Sequence, residues 1–209
     1  MSHQREISEF VQRLKKLLSY NLGKEGRQTT LRMELEIVKE YIALQQMRYD
    51  FIIEMNIEDG SYLDQPTVRM LFQPLVENAI RYGLGDDEKI SIQVFEDVAR
   101  HLAVVTISDS GKGLNQEEID EINQPFDYDW GYWKNENRGI GLRYVKAMLE
   151  SFYDGQTSLF VNSKKGFGTR ITILLPVREP EEKKEKDKDK EVTLEENKVG
   201  QTDERIDCR

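Results

Sequence analysis

The sequence predicts an α+β fold, a sandwich of a mixed, largely antiparallel sheet under one layer of helices. Three observations carry this. Strand-like runs come mostly in pairs joined by short turns, as Ile90, Ile92 and Val94 followed by Leu102, Val104 and Thr106. Segments of helical period lie between these pairs. The 209 residues are 38% apolar and 33% charged, enough apolar surface for one sizeable core with trimmings. The same composition excludes several classes. No apolar run is long enough to span a bilayer, and the alternation of charged and apolar residues from Met1 to Lys16 is unlike a signal peptide. A single cysteine, Cys208, leaves no internal disulfide and no cysteine-based zinc site. A formal charge of −9 argues against a general nucleic-acid binder.

In chain order, Ile7, Phe10, Val11, Leu14, Leu17 and Leu18 fall at helical spacing, and Gly23 and Gly26 end that helix. A second helix starts near Thr29 or Thr30, with Glu34 in its first turn. It carries two apolar stripes, Leu31, Leu35, Val38 and Ile42 on one side and Met33, Ile37, Tyr41 and Leu44 on the other. Such a helix is covered twice: either it is buried in a single core, or it lies between a partner chain and its own globular domain. Phe51–Ile57 reads as a strand, and Thr67–Tyr82 as a helix that Pro74 either kinks or truly starts. The two alternating runs that follow form an antiparallel pair joined near Asp97–Arg100. Glu117–Ile122 is a short helix, Gln124–Asn137 is aromatic and irregular, and Ile140–Phe152 is a helix. Strands Ser158–Asn162 and Thr169–Leu175 flank the turn Lys164-Lys165-Gly166-Phe167-Gly168. From Glu179 onward the chain is nearly all charge at first and poor in apolar residues throughout, and is expected to be disordered.

Four short segments carry chemistry. In Gln73-Pro74-Leu75-Val76-Glu77-Asn78-Ala79-Ile80-Arg81-Tyr82, Asn78 shares a helical face with Leu71, Leu75 and Tyr82. A buried amide needs partners. Either the backbone satisfies Asn78, or its oxygen serves as a hard ligand suited to Mg²⁺, with Tyr82 lying against a base and Arg81 reaching phosphate. In Ser108-Asp109-Ser110-Gly111-Lys112-Gly113-Leu114, a strand ends in a carboxylate that accepts hydrogen bonds, and two glycines permit close backbone approach. The alternative is a glycine-rich turn with an Asx bond. Asn135-Glu136-Asn137-Arg138-Gly139-Ile140-Gly141-Leu142 places glycines where a helix begins, so that open amides and Arg138 make an anion site. Gly166-Phe167-Gly168-Thr169 enters the last strand, as a plain hairpin turn or with the Thr169 hydroxyl holding a water or a base edge.

In this order and spacing the four segments resemble the N, G1, G2 and final Gly-Thr boxes of the Bergerat-fold ATPases, which include gyrase, heat-shock chaperone ATPases, mismatch-repair ATPases and histidine kinases. A narrower resemblance is to LytS/YesM-type sensor histidine kinases. It rests on Gln73–Ile80, on Thr30–Glu36, and on Tyr41-Ile42-Ala43-Leu44-Gln45-Gln46-Met47-Arg48-Tyr49. It covers about Ile7–Pro176.

The resemblance implies the C-terminal ATP-binding catalytic domain of such a kinase. Asn78 would hold Mg²⁺, and Glu77 would polarise the incoming nucleophile or a metal-bound water. Arg81 would touch phosphate, Tyr82 would lie beside adenine, and Asp109 would accept from the adenine amine. Gly111, Gly113 and Leu114 would shape the base pocket, with Thr169 supporting Asp109. Arg138, Gly139, Ile140, Gly141 and Leu142 would serve the phosphates, and residues 115–136, with Phe126, Tyr128, Trp130, Tyr132 and Trp133, would form the lid over ATP. The implied organisation is a remnant of a helical dimerisation and phosphoacceptor region over 1–49, the catalytic domain over 50–177, and a charged tail over 178–209.

Two departures matter. Gyrase-type hydrolases carry a catalytic Glu four residues before the N-box Asn, where this chain has Pro74, so transfer to a side chain is favoured over hydrolysis. The family's acceptor His lies in a Pro-His-Phe-like segment. Neither His3 nor His101 has that context, so the chain reads as a C-terminal piece of a longer, membrane-associated protein that works as a homodimer. The implied reaction moves the γ-phosphoryl of ATP to a histidine nitrogen and then to a response-regulator Asp. The alternative is a Bergerat-fold switch that binds ATP without phosphorylating histidine.

Overall fold

The computed structural model describes residues 2–23, 29–84, 89–123 and 140–178. Residues 124–136 of the lid expected over 115–136, together with Arg138, Gly139 and the tail beyond 178, lie outside them.

Two antiparallel helices come first, α1 (Ser2–Asn21) and α2 (Leu31–Gln46), with a two-residue strand β1 (Thr29–Thr30) leading into α2. Thr30 caps α2 by accepting from the Met33 N–H at 3.2 Å. Both stripes of α2 are used. Leu31, Leu35, Val38 and Ile42 enter the main core. Ile37 and Leu44, with Met33 and Tyr41 beside them, pack on Leu17 and Tyr20 of α1. Arg13 and Lys16 bind Glu40 across the hairpin at 2.5 and 3.0 Å. Among the described residues the second stripe is covered by the same chain's own α1. Ile7, Val11 and Leu18 remain more than half exposed on α1.

The expected long helix from Thr67 is corrected. Pro66–Thr67 form β3, which pairs antiparallel with β1. Met70 then turns the chain with φ of 59°, and α3 runs only over Gln73–Tyr82. Pro74 sits in its first turn, where a missing N–H costs nothing and a fixed φ suits the helix. Pro74 is therefore the start of the helix rather than a kink.

The main sheet comprises β2 (Ile52–Ile57), β4 (Lys89–Asp97), β5 (Leu102–Asp109), β6 (Ser158–Lys164) and β7 (Gly168–Pro176), in the order β2-β4-β5-β7-β6. Only β2 and β4 run parallel; the other pairs are antiparallel. The helix α3 lies in the crossover between β2 and β4, while α4 (Gln116–Asn123) and α5 (Ile140–Phe152) join β5 to β6. One sheet face is covered: Ile90, Ile92 and Val94 of β4, Ala103, Val105 and Ile107 of β5, and Ile171, Ile173 and Leu175 of β7 share the core with Leu75, Val76, Leu142, Val145 and Leu149. In β5 the buried phase is Ala103, Val105 and Ile107, not the Leu102, Val104 and Thr106 set that the sequence suggested. Leu102 and Val104 on one face and Ala103, Val105 and Ile107 on the other are all apolar, so alternation alone leaves the phase open. Pairing of Ile92 with Ile107 and Val94 with Val105 decides it.

Candidate functional site

A cavity of about 110 Å³ opens between α3 and the end of β5. Leu75, Asn78, Ala79 and Tyr82 of α3 form one wall. Ile107 and Ile171 form the floor, with Asp109 and Thr169 at its polar end. Lys112, Gly113, Leu114, Glu118 and Ile122 close one side, and Leu142 and Arg143 of α5 close the other. The walls are mainly apolar, with a few convergent polar groups, as small-molecule sites are.

Asp109 ends the central strand. Its Oδ1 accepts from the Gly111 N–H and the Thr169 N–H, both at 3.1 Å. Burial pushes the carboxyl above its ordinary range, and the two backbone donors oppose that shift. With both bonds on Oδ1, Oδ2 is left for a ligand donor. Thr169 thus supports Asp109 through its backbone, while its hydroxyl lies 3.0 Å from Ser163 Oγ.

Glycines make this junction possible. A Cβ on Gly83 would lie 2.4 Å from Asp109 Cγ, and one on Gly111 would lie 2.4 Å from Gly83 Cα. Gly111 therefore serves the packing of loop on helix, beneath the cavity rather than in it. Gly113, at φ of 65°, presses on the Lys164 carbonyl with no room for a side chain. The Leu114 N–H donates to Ser163 Oγ at 2.8 Å, and the Gly166 N–H donates to the Lys112 carbonyl at 2.7 Å. The β6–β7 turn thereby fixes the Asp109–Leu114 loop.

The amide of Asn78 lines the cavity and has no hydrogen-bond partner among the described residues. A Cβ on Gly141 would come within 3.3 Å of its Nδ2, so the start of α5 abuts the N box directly. Tyr82 also lines the cavity, with Lys112 Nζ 5.3 Å from its ring centroid. Glu77 and Arg81 stand outside the cavity, paired to each other at 3.2 Å on the flank of α3 near Tyr41. Leu142 is buried in the wall, and Ile140 opens α5.

Three contributors escaped the sequence reading. Lys112 and Arg143 line the cavity, and Arg143 Nε is buried without a partner among the described residues. Ser163 ties the glycine-rich loop to the hairpin. Lys112 lies inside the glycine-rich Asp109–Leu114 segment and Arg143 directly follows the segment that ends at Leu142, but a serine within a strand gives no signal.

The donor set fits an adenine nucleotide: an acceptor oxygen at the closed end, an aromatic ring on the wall, and unengaged amide and guanidinium groups toward α5. No cluster of acidic, His or Cys side chains suited to a metal ion exists among the described residues. A Mg²⁺ held by one amide oxygen and by substrate phosphates would need none.

Residues 63–179 match the family described as histidine kinase-, DNA gyrase B-, and HSP90-like ATPase, and residues 1–52 match the histidine kinase family. The chain belongs to the first of these families. The sensor protein kinase HptS of Staphylococcus aureus strain bovine RF122 is 30% identical over 168 residues, 80% of this chain. HptS of strain USA300 is equally similar, at 30% over the same share. The chain spans 32% of the length of these relatives. Among solved structures, the catalytic domain of histidine kinase ThkA superposes with a TM-score of 0.54 over 72% of this chain and 95% of that domain, at 16% identity. This likeness shows the shared Bergerat fold.

Proposed function

We propose that the chain binds ATP with Mg²⁺ in the cavity between α3 and β5 and serves as the phosphoryl-transferring domain of a two-component sensor histidine kinase. The observation that carries this is the carboxylate of Asp109, anchored through one oxygen by Gly111 and Thr169 and presenting the other to an apolar slot beside Tyr82. Asp109 accepts from the amine of adenine. Asn78 offers its amide oxygen to the metal, and Arg138, Gly139 and Gly141 receive the phosphates. Bound Mg²⁺ would neutralise charge that develops on the transferring phosphoryl group. Glu77 then orients the histidine nucleophile, which is reactive when neutral and needs no strong base. Arg81 turns from Glu77 to phosphate once the nucleotide is present. The acceptor histidine, the homodimer that brings it near, the response regulator that takes the phosphoryl group, and a membrane-associated parent belong to the same reading. So does the division into a helical dimerisation region over 1–49, a catalytic domain over 50–177 and a tail beyond.

Titration calorimetry tests the core of this reading. ATP with Mg²⁺ should bind, and GTP should bind far more weakly, because guanine presents a carbonyl where adenine presents its amine. Equal affinity for the two would remove Asp109 from its role.

A further inference from the structure

Glu34 is a fully buried carboxylate that the proposed chemistry does not use. It is 2% exposed. Its Oε1 accepts from the Met70 N–H at 2.8 Å and its Oε2 from the Leu71 N–H at 2.7 Å. The Tyr20 hydroxyl donates to Oε1 and lies 2.8 Å from Thr29 Oγ1. Arg69 clamps the same tyrosine, with its guanidinium 4.5 Å from the ring centroid and its Nη1 donating to the Tyr20 carbonyl at 2.6 Å. Residues 69–71 are therefore held to the C-terminal end of α1 from both sides. Met70 adopts a left-handed φ of 59° within this clamp, a conformation a non-glycine residue keeps only when its surroundings fix it. Leu71 and Phe72, both 0% exposed, lead straight into α3.

We infer that Glu34 and Tyr20 are positioning residues for the N-box helix: through the 69–71 turn they set where α3 presents Asn78 to the cavity, and they make that placement depend on α1. A buried carboxylate is expensive to keep unless its oxygens are hydrogen-bonded, and an apolar residue here would leave the Met70 and Leu71 N–H groups without this acceptor. Its two oxygens spread over two consecutive backbone amides define one geometry for the turn, which an apolar side chain would not do. On α1, Leu17 and Tyr20 are the buried apolar residues, whereas Ile7, Val11 and Leu18 stay exposed. A displacement of α1 therefore reaches the 69–71 turn through Tyr20. The inference rests on the nucleotide reading only for its effect on ligand affinity.

The test uses the full chain with Tyr20→Phe, which deletes one hydroxyl and keeps the ring under Arg69, and with Glu34→Gln. Amide hydrogen exchange and ATP titration are read together. In Tyr20→Phe, exchange across residues 70–82 should speed up on the order of tenfold, while the β4–β5 pair is unchanged. ATP affinity should weaken by a similar factor. Glu34→Gln should do more of both, and if it fails to fold, Tyr20→Phe still decides. Equal acceleration in α3 and in β4–β5 would show a merely structural role and overturn the inference, as would wild-type exchange and affinity in Tyr20→Phe. If the wild-type chain binds no ATP, the functional reading falls, and the exchange comparison alone settles the tie.

Discussion

At the scale of single residues, the buried carboxylate of Asp109 carries a cost to stability. Burial raises its folded pKa above the unfolded value. The stability cost of its charge is therefore absent below the unfolded pKa and grows as pH rises through the folded one. Asp109→Asn keeps an oxygen to accept from Gly111 and Thr169 but carries no charge. The variant should be more stable than wild type near neutrality, and the difference should vanish as pH falls through the carboxylate range. Urea unfolding at several pH values measures this; a variant that is less stable at neutral pH contradicts it. The same substitution should weaken ATP binding roughly tenfold to a hundredfold, the scale of one charged hydrogen bond. It turns an amide N–H₂ toward the adenine amine and should raise relative affinity for a nucleotide with a carbonyl there. Stability and binding thus move in opposite directions, as they do where a site is kept at a cost to the fold.

At the scale of elements, the site is a stack of close backbone approaches. Gly83→Ala and Gly111→Ala each drive a methyl to 2.4 Å from an atom of the opposing segment, whereas Gly155 has nothing within 4 Å of a built Cβ. The first two should cost about 1–3 kcal/mol through forced displacement. Gly155→Ala, at φ of 74°, should lose only the left-handed preference, about 1 kcal/mol. Denaturant midpoints of the three variants give the ranking, and an equal loss at all three would mean that the junction is softer than its distances imply. What the sequence disclosed about these elements follows the same physics. Helix α5 was legible because one helical period governs it, and the pairing of β4 with β5 was legible from two short apolar runs around one turn, whereas Pro74 left a kink and a helix start both open until the structure placed it in the first turn of α3. The phase of β5 was not legible, since both of its faces are apolar. Strands β1 and β3 were not legible either, because a two-residue pairing between Thr29 and Thr67 leaves no local pattern. Glu34 read as an acidic residue in a first helical turn, and only the tertiary fold turns its carboxylate onto Met70 and Leu71. Of the candidate site, Asp109, Asn78, Tyr82 and the glycine spacing were visible as motifs, while Arg143 and Ser163 become site residues only once β6, β7 and α5 are in place.

At the scale of the whole molecule, distance decides which histidine can react. His101 is the residue before β5, and Asp109 is the last residue of that strand. At about 3.3 Å per residue the two are separated by roughly 25 Å. A phosphoryl donor whose base rests on Asp109 does not reach back along the sheet to His101. The chain incubated with γ-labelled ATP should therefore show no acid-labile label on His101, and His101→Gln should leave nucleotide affinity unchanged. Phosphopeptide mapping that places a label on His101 would contradict this orientation of the nucleotide. The exposed residues of α1 are a second feature of this scale. Val11→Glu and Leu18→Glu should each alter stability by no more than about 0.5 kcal/mol, because both side chains already face water.

Strand β7, the last strand among the described residues, is inserted between β5 and β6 rather than added at an edge. It supplies Thr169, whose N–H completes the anchoring of Asp109 from 60 positions away. Until that strand docks, β5 is an open edge and the carboxylate has only its own turn to hold it. On a ribosome, then, a growing chain has no nucleotide pocket until the domain is nearly finished, and a chain released early is unable to sequester ATP. Ligand retention becomes a readout of a finished sheet, and any proteolytic nick that frees β7 should silence binding even though Asn78, Tyr82 and Asp109 all remain on the larger fragment.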